Sequence, residues 1–380
     1  MNNNKSKKKI IFLIPSLTGG GAERTLINLL QKLDYTKFEV DLVVVLKDGI
    51  YLENVPNEVK CIFLFHNKML VRILAWMQKK IGFNYLLKKT TQNKIRGQYD
   101  LGISFLDGNF TDLLFFMKGL KKRFTWVHSS YQTNRNFARF YENTKYVQKL
   151  KEERYGALDG IYFVSNDAKE EFIEVFGEYP KMEVIYNFID TKSVLKKAEL
   201  ETYPKSNLFE FVALGSLLTV KGFDRLIRAS KIVKEKGFNF KVSILGSGAE
   251  KNNLESLVKE NNLKDNIDFL GFVSNPYPLL KNADVFIMSS VSEALPTVLC
   301  EAMILGKATL VTNCSGCREI VANGQFGLMA EQSDQSLAEN MIKYISDPNL
   351  VIHYELQSLK RSELFDDKLV LAAYNEILSQ

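Results

Sequence analysis

Ser289–Glu301 reads SSVSEALPTVLCE, and directly before it stands the apolar run Asp284–Met288, DVFIM. A short apolar run cut off by a polar stretch is expected as a buried strand. Pro296 suits the first helical position, because the N–H it lacks belongs to the groups that have no intrahelical partner there. Thr297–Leu305 reads as the helix, and Gly306 stands just past its end, where helices prefer glycine. The stretch therefore predicts strand, tight loop and helix, the repeating unit of a parallel sheet wrapped by helices.

The chemistry of this corner follows from its residue types. Glu293 and Glu301 lie eight positions apart, the first in the loop and the second about one turn inside the helix. The backbone N–H groups of Leu295, Thr297 and Val298, on either side of Pro296, fall at the positive end of the helix dipole, which suits a phosphate or diphosphate. Carboxylates repel phosphate but accept hydrogen bonds from vicinal hydroxyls, such as those of a ribose or a hexose. Amides for phosphate beside carboxylates for sugar hydroxyls describe a nucleotide-sugar site. The plainer reading is an N-capped helix carrying two solvated glutamates.

The stretch Glu293–Glu301, E-A-L-P-T-V-L-C-E, resembles the Glu-x7-Glu motif of family 4 retaining glycosyltransferases. The residues that follow, G-K-A-T-L-V-T-N-C-S-G-C-R-E-I-V, continue that family's pattern through Gly316 and Glu319. The motif usually has glycine after its first Glu, where this chain has Ala294.

Composition sets the frame around this corner. At 380 residues, 46% hydrophobic and 25% charged, the chain has the bulk for two core-bearing domains. It contains no run of about 18 uninterrupted apolar residues, the length a membrane span requires. The opening MNNNKSKKKI leads into too short an apolar run for a signal peptide and is expected to enter a first strand. Four cysteines, including Cys314-Ser-Gly-Cys317, give neither a disulfide framework nor a zinc site without a second pair or a His cluster; a reducing cytoplasm is the expected setting. Residues 1–190 carry 29 Lys+Arg against 21 Asp+Glu and the remainder 21 against 23, so the net +6 arises from +8 and −2. A basic first half fits an anionic partner, a lipid diphosphate or a leaflet surface, or else a solvated basic face. No nucleic-acid partner is expected.

Outward from the corner, strand candidates occur at Ile10–Ile14, Val40–Leu46, Cys61–Phe65, Leu101–Phe105, Phe124–Val127, Ile161–Val164 and Glu183–Tyr186, with helical patterns between most of them. Pro15–Gly21, PSLTGGG, is a glycine turn leading into a helix; Gly19, Gly20 and Gly21 permit close backbone approach to an anion. Lys68–Arg96 mixes Leu, Ile, Trp, Phe and Tyr with basic residues and has no acid, which fits either a membrane-interface segment or helices packed on the sheet. Phe115–Phe124, FFMKGLKKRF, could join it. His128 follows a strand, placing it at the carboxyl edge where doubly wound sheets bind ligands, whereas His66 and His353 have no such context. A linker is expected near 190–207. Beyond it the strand Phe211–Leu214 delivers Ser216 and Lys221, a second strand delivers Gly246 and Gly248, and Ile267–Leu270 leads to Val273. Phe365–Leu378 reads as a terminal helix.

The resemblance assigns expectations to these positions. It implies the GT-B arrangement of two Rossmann-like domains facing a cleft, residues 1–190 on the acceptor side and 191–364 holding the nucleotide sugar, with 365–380 crossing back. The expected reaction is retaining transfer of a hexose or N-acetylhexosamine, UDP being the leading donor, to a lipid-linked or polysaccharide glycan. Glu293 would bind hexose hydroxyls and Glu301 the ribose. Lys221, Ser216 and the amides of Gly19–Gly21 and Thr297–Val298 would take the diphosphate. Gly246 and Gly248 would admit the nucleotide, main-chain groups near Val273 would read its base, and His128 would contact the donor sugar. The family commonly has Arg where this chain has Ser216. No Asp-x-Asp occurs, so no metal or other cofactor is expected. Two alternatives stand beside this reading: an epimerase of the same fold, and a non-catalytic nucleotide-sugar or glycan-binding protein.

Overall fold

The protein is described by a computed structural model covering residues 7–131, 144–201 and 205–380. Two compact units make up the chain, one of Met1–Phe188 with Asp367–Gln380 and the other of Ile189–Asp366.

The first unit contains a parallel sheet of β1 (Lys8–Ile14), β2 (Phe38–Leu46), β3 (Lys60–Phe65), β4 (Tyr99–Ser104), β5 (Leu120–Val127), β6 (Gly160–Phe163) and β7 (Met182–Val184). Its spatial order is β3-β2-β1-β4-β5-β6-β7. Each strand matches one of the seven apolar runs to within a few residues. The central strands are buried along most of their length, as strands covered on both faces must be, and so read as continuous apolar runs. Several begin earlier than their apolar part: β5 starts at Leu120 because ladder pairing continues through Lys122 and Arg123 on β4. The helix Asp367–Leu378 belongs to this unit, and Tyr374 stacks on Trp126 at 5.5 Å.

The second unit has β8 (Phe209–Leu214), β9 (Phe240–Leu245), β10 (Ile267–Gly271), β11 (Val285–Met288), β12 (Ala308–Thr312) and β13 (Leu328–Ala330), all parallel in the order β10-β9-β8-β11-β12-β13. Strand order thus reverses twice, between β1 and β4 and between β8 and β11, and loops leaving the carboxyl ends at such a reversal diverge to leave room for a ligand.

Two sequence expectations are corrected. Residues 191–198, expected in a linker, form a helix capped by Asp190, whose carboxylate accepts from Ser193 N–H, and Val194 and Ala198 are buried in the second unit. Phe115–Phe124 forms no exposed patch: Met117, Leu120 and Phe124 are core residues, and Phe115 lies under the Arg123 guanidinium.

Candidate active site

β8 ends at Leu214, and the loop 215–222 carries Ser216 and Lys221. β11 ends at Met288, and the loop 289–296 carries Glu293. Because β8 and β11 are neighbours at the reversal, the two loops meet. Lys221 Nζ lies 2.6 Å from Glu293 Oε1, and Ser290 Oγ donates to the same oxygen at 2.7 Å. The backbones are laced together beneath this pair: Val291 N–H donates to Val220 O at 2.8 Å, Ser289 Oγ to Lys221 O at 3.0 Å, and the Arg225 guanidinium to Ser289 O at 2.9 Å. Gly222 marks the closest approach. Its φ is +62°, and a Cβ there would stand 2.1 Å from the Ser289 carbonyl oxygen, so no other residue fits without displacing the loop.

The Glu293 loop is held from its far side as well. Thr312 Oγ1 donates to Ser290 O at 2.5 Å, and Gly316 N–H donates to Glu293 O at 3.0 Å. A Cβ on Gly316 would lie 2.4 Å from Ala294 O, which is the physical reason for glycine at that position. Beyond the loop the helix Thr297–Ile304 begins, with Pro296 at the N-cap rather than the first helical position. Its first backbone bonds run from Leu299 and Cys300 N–H to Pro296 O, leaving the Thr297 and Val298 amides ahead of the ladder at the positive end of the dipole. Leu295 is buried beside them.

Glu301, the residue expected to bind the ribose, sits inside the helix Thr297–Ile304. It is 3% exposed and accepts a hydrogen bond from the buried Tyr277 hydroxyl at 3.2 Å. The partner brought to Glu293 is therefore Lys221, while Glu301 faces Tyr277 of the helix Tyr277–Asn282.

Ser216 is exposed, and its carbonyl accepts from Leu218 N–H at 2.8 Å. The glycines after β9 serve the loop after β8: Cβ atoms on Gly246 and Gly248 would lie 1.9 and 2.3 Å from the carbonyl oxygens of Gly215 and Leu217. The close approach they permit here is that of neighbouring backbone, where a nucleotide was expected. Val273 is half-buried in the loop after β10. Cys314 and Cys317 are free buried thiols; Cys317 Sγ lies 3.5 Å from Met288 Sδ, and its hydrogen bond with Cys314, together with burial, pushes its thiol pKa up.

In the first unit, the glycine loop holds a carboxylate of its own chain. Glu23 Oε2 accepts from Gly19 N–H at 2.6 Å and Gly20 N–H at 2.9 Å, while Ser16 and Thr18 hydroxyls approach Oε1 at 3.3 and 3.4 Å. Gly21 is the first residue of the helix Gly21–Leu30. Of the amides expected to take a diphosphate, those of Gly19 and Gly20 are bonded to the chain's own carboxylate. His128 stands after β5 at the carboxyl edge, its ring 5.0 Å from that of Phe105. Its Nε2 is shut away from solvent with no hydrogen-bond partner among the described residues. Burial pushes its pKa down to about 3, so the imidazole is neutral at ordinary pH.

Sequence reasoning missed Ser290, Thr312, Gly222, Tyr277 and Glu23. Only Glu23 left a local signal, an acid three residues after the cap, and the cap itself is Gly20, which has no side chain to advertise it.

Residues 19–193 match the family described as Glycosyltransferase Family 4, and residues 196–358 match Glycosyl transferases group 1. An N-acetylgalactosamine-N,N'-diacetylbacillosaminyl-diphospho-undecaprenol 4-alpha-N-acetylgalactosaminyltransferase of Campylobacter jejuni is 31% identical over 368 residues, covering 94% of this chain and 96% of that one. A second C. jejuni protein, N,N'-diacetylbacillosaminyl-diphospho-undecaprenol alpha-1,3-N-acetylgalactosaminyltransferase, is 24% identical over 90% of this chain and 83% of its own length. Among solved structures, Anabaena HepE in complex with UDP and glucose superposes with a TM-score of 0.73 at 20% identity, covering 98% of this chain and 100% of that one. Two Rossmann-like units of this order define the GT-B fold class. The chain belongs to family 4 of the glycosyltransferases.

Proposed function

We propose that the protein transfers a hexose or N-acetylhexosamine from a nucleoside diphosphate sugar, UDP being the leading donor, to a lipid-linked glycan on the cytoplasmic side of the membrane, with retention at the anomeric carbon. The observation that carries the reading is the Lys221–Glu293 pair at the β8/β11 reversal, beside the N-terminus of the Thr297 helix. The names of the C. jejuni relatives, both transferases acting on diphospho-undecaprenol glycans, support the lipid-linked acceptor.

In this reading the ion pair exchanges partners when donor arrives. The diphosphate takes Lys221 and the Thr297 and Val298 amides, and sugar hydroxyls take the Glu293 carboxylate. Lys221 then stabilises the negative charge that grows as the anomeric carbon–oxygen bond breaks. The acceptor hydroxyl attacks from the face being vacated, and its proton passes to the departing phosphate oxygen, so no carboxylate nucleophile is required. Glu301 is assigned the ribose, which must take over or share the Tyr277 contact. Ser216 contributes a hydroxyl where the family commonly has Arg, so Lys221 carries the larger part of the charge.

The test is turnover with a panel of nucleotide sugars and lipid extract, followed by isolation of the product. Acceptor-dependent UDP release with an unchanged anomeric configuration is expected. An inverted product would reject retention, UDP release that ignores acceptor would favour an epimerase, and tight donor binding with no release would leave a binding protein.

A further inference from the structure

We infer that the pair of helices at Lys68–Ile81 and Tyr85–Lys94 docks on a lipid bilayer bearing anionic headgroups. This rests on the surface of the first unit alone and stands or falls separately from the active-site reading.

The helix Lys68–Ile81 is amphipathic, but its inner stripe is narrow. Val71, Leu74 and Gln78 face the unit, with Gln78 donating to Asp112 at 2.8 Å and to Asn109 O at 2.9 Å. Its outer stripe is apolar too: Met69 is 72% exposed, Ile73 45% and Trp76 58%. These residues and the stems of Lys68 and Arg72 line an open depression. Gly82 ends the helix in the left-handed conformation, and Ile81, Phe83 and Tyr85 extend the exposed apolar surface around the turn. An apolar surface of this extent on a soluble protein marks an interaction site.

Charge identifies the occupant. Residues 68–96 contain eight Lys or Arg and no acid. Arg72, Lys79, Lys80, Lys88 and Lys89 are exposed around the aromatic and aliphatic residues, and Lys68 pairs with Asp48 at the edge of the patch. A protein partner's core would be a poor match for so one-signed a rim, whereas a bilayer accepts apolar and aromatic side chains at headgroup depth and supplies the negative charge. A second exposed apolar stripe, Ile352, Leu356 and Leu359, lacks this feature: Glu355 sits within it and pairs with Lys307. That stripe is a built-in control.

The chain also carries its own probe. Of its two tryptophans, Trp76 is exposed and Trp126 is fully buried, so a change in emission on vesicle binding reports Trp76. The 380-residue chain is mixed with vesicles of phosphatidylcholine alone or with phosphatidylglycerol added. The expected result is co-sedimentation with the anionic vesicles, a blue shift, and quenching by brominated acyl chains. The partition coefficient should fall at least about tenfold when Arg72, Lys80, Lys88 and Lys89 are changed together to Gln, and again on raising salt. Met69→Ser with Ile73→Ser and Trp76→Ser should lose binding at unchanged thermal midpoint, and Leu356→Ser should bind as the parent does. Equal binding to neutral vesicles, no quenching of Trp76, or a dimer in sedimentation velocity that the triple variant dissolves would each overturn the inference, the last in favour of a second copy of the chain.

Discussion

The two strand-order reversals are topologically alike and chemically opposite. At β1/β4 the glycine loop offers amides to an anion, but Glu23, three residues into its own helix, has filled them. At β8/β11 the loops present a cation and a carboxylate paired with each other, with the helix amides of Thr297 and Val298 beside them. The same architecture thus makes one self-satisfied corner and one whose pairing a charged, hydroxyl-rich ligand can take over. What separates them is where the acid sits: within the cap, or across the reversal from a lysine.

The sharpest way to break this contrast is to remove either member of the pair. Lys221→Ala and Glu293→Ala should each lower turnover at saturating donor on the order of 10²-fold or more. Because they share one contact, the double variant should lose less than the product of the two single losses. Full turnover in both single variants would remove the β8/β11 site from the chemistry.

A smaller effect tests the scaffold beneath the pair. Gly222→Ala forces a Cβ against Ser289 O in a left-handed backbone, and should cost about 2 kcal/mol or more, read as a lowered thermal midpoint, along with turnover. Gly215→Ala, in the same loop, meets nothing nearer than Lys221 Cδ at 3.7 Å and should be tolerated. Equal behaviour of the two would mean that the loops are not fixed as described.

These glycines also mark what could be read in advance. The first sheet's strands were legible because parallel strands buried on both faces are apolar throughout, and the Thr297 helix was legible from its proline and glycine punctuation. The meeting of Lys221 and Glu293, 72 residues apart, was not, since it depends on β8 and β11 being neighbours and local pattern carries no strand order. Gly246 and Gly248 were expected to admit the nucleotide, yet each stands against a carbonyl of an adjoining loop, as Gly222 and Gly316 do. The contact of Glu301 with Tyr277 could not be read either, because its position in the helix says nothing of the Tyr277 helix packed beside it.

His128 sharpens the comparison from the first unit's side. Its pKa is about 3 in the folded protein against about 6.5 unfolded, so the unfolded chain binds the proton first. The stabilisation is complete above pH 6.5 and is lost as pH falls toward 3, amounting to about 2 kcal/mol by pH 5. Unfolding measured across that window should show the loss in the parent and a flatter profile in His128→Gln. An unchanged slope would mean that the imidazole titrates normally, and that it is open to charged chemistry.

The smallest effect decides whether the β1/β4 corner is closed or merely occupied. Glu23→Ala removes an acceptor from the Gly19 and Gly20 amides and should cost about 1 kcal/mol of stability, the usual worth of a helix cap. If Glu23 is only a cap, the variant's affinity for UDP, measured by calorimetry, should stay within about twofold of the parent's. A gain of about tenfold, or 1.4 kcal/mol, would mean that the carboxylate had been holding an anion site shut. The two reversals would then differ in occupancy alone, since amides freed of Glu23 would do for a phosphate what those of Thr297 and Val298 are placed to do.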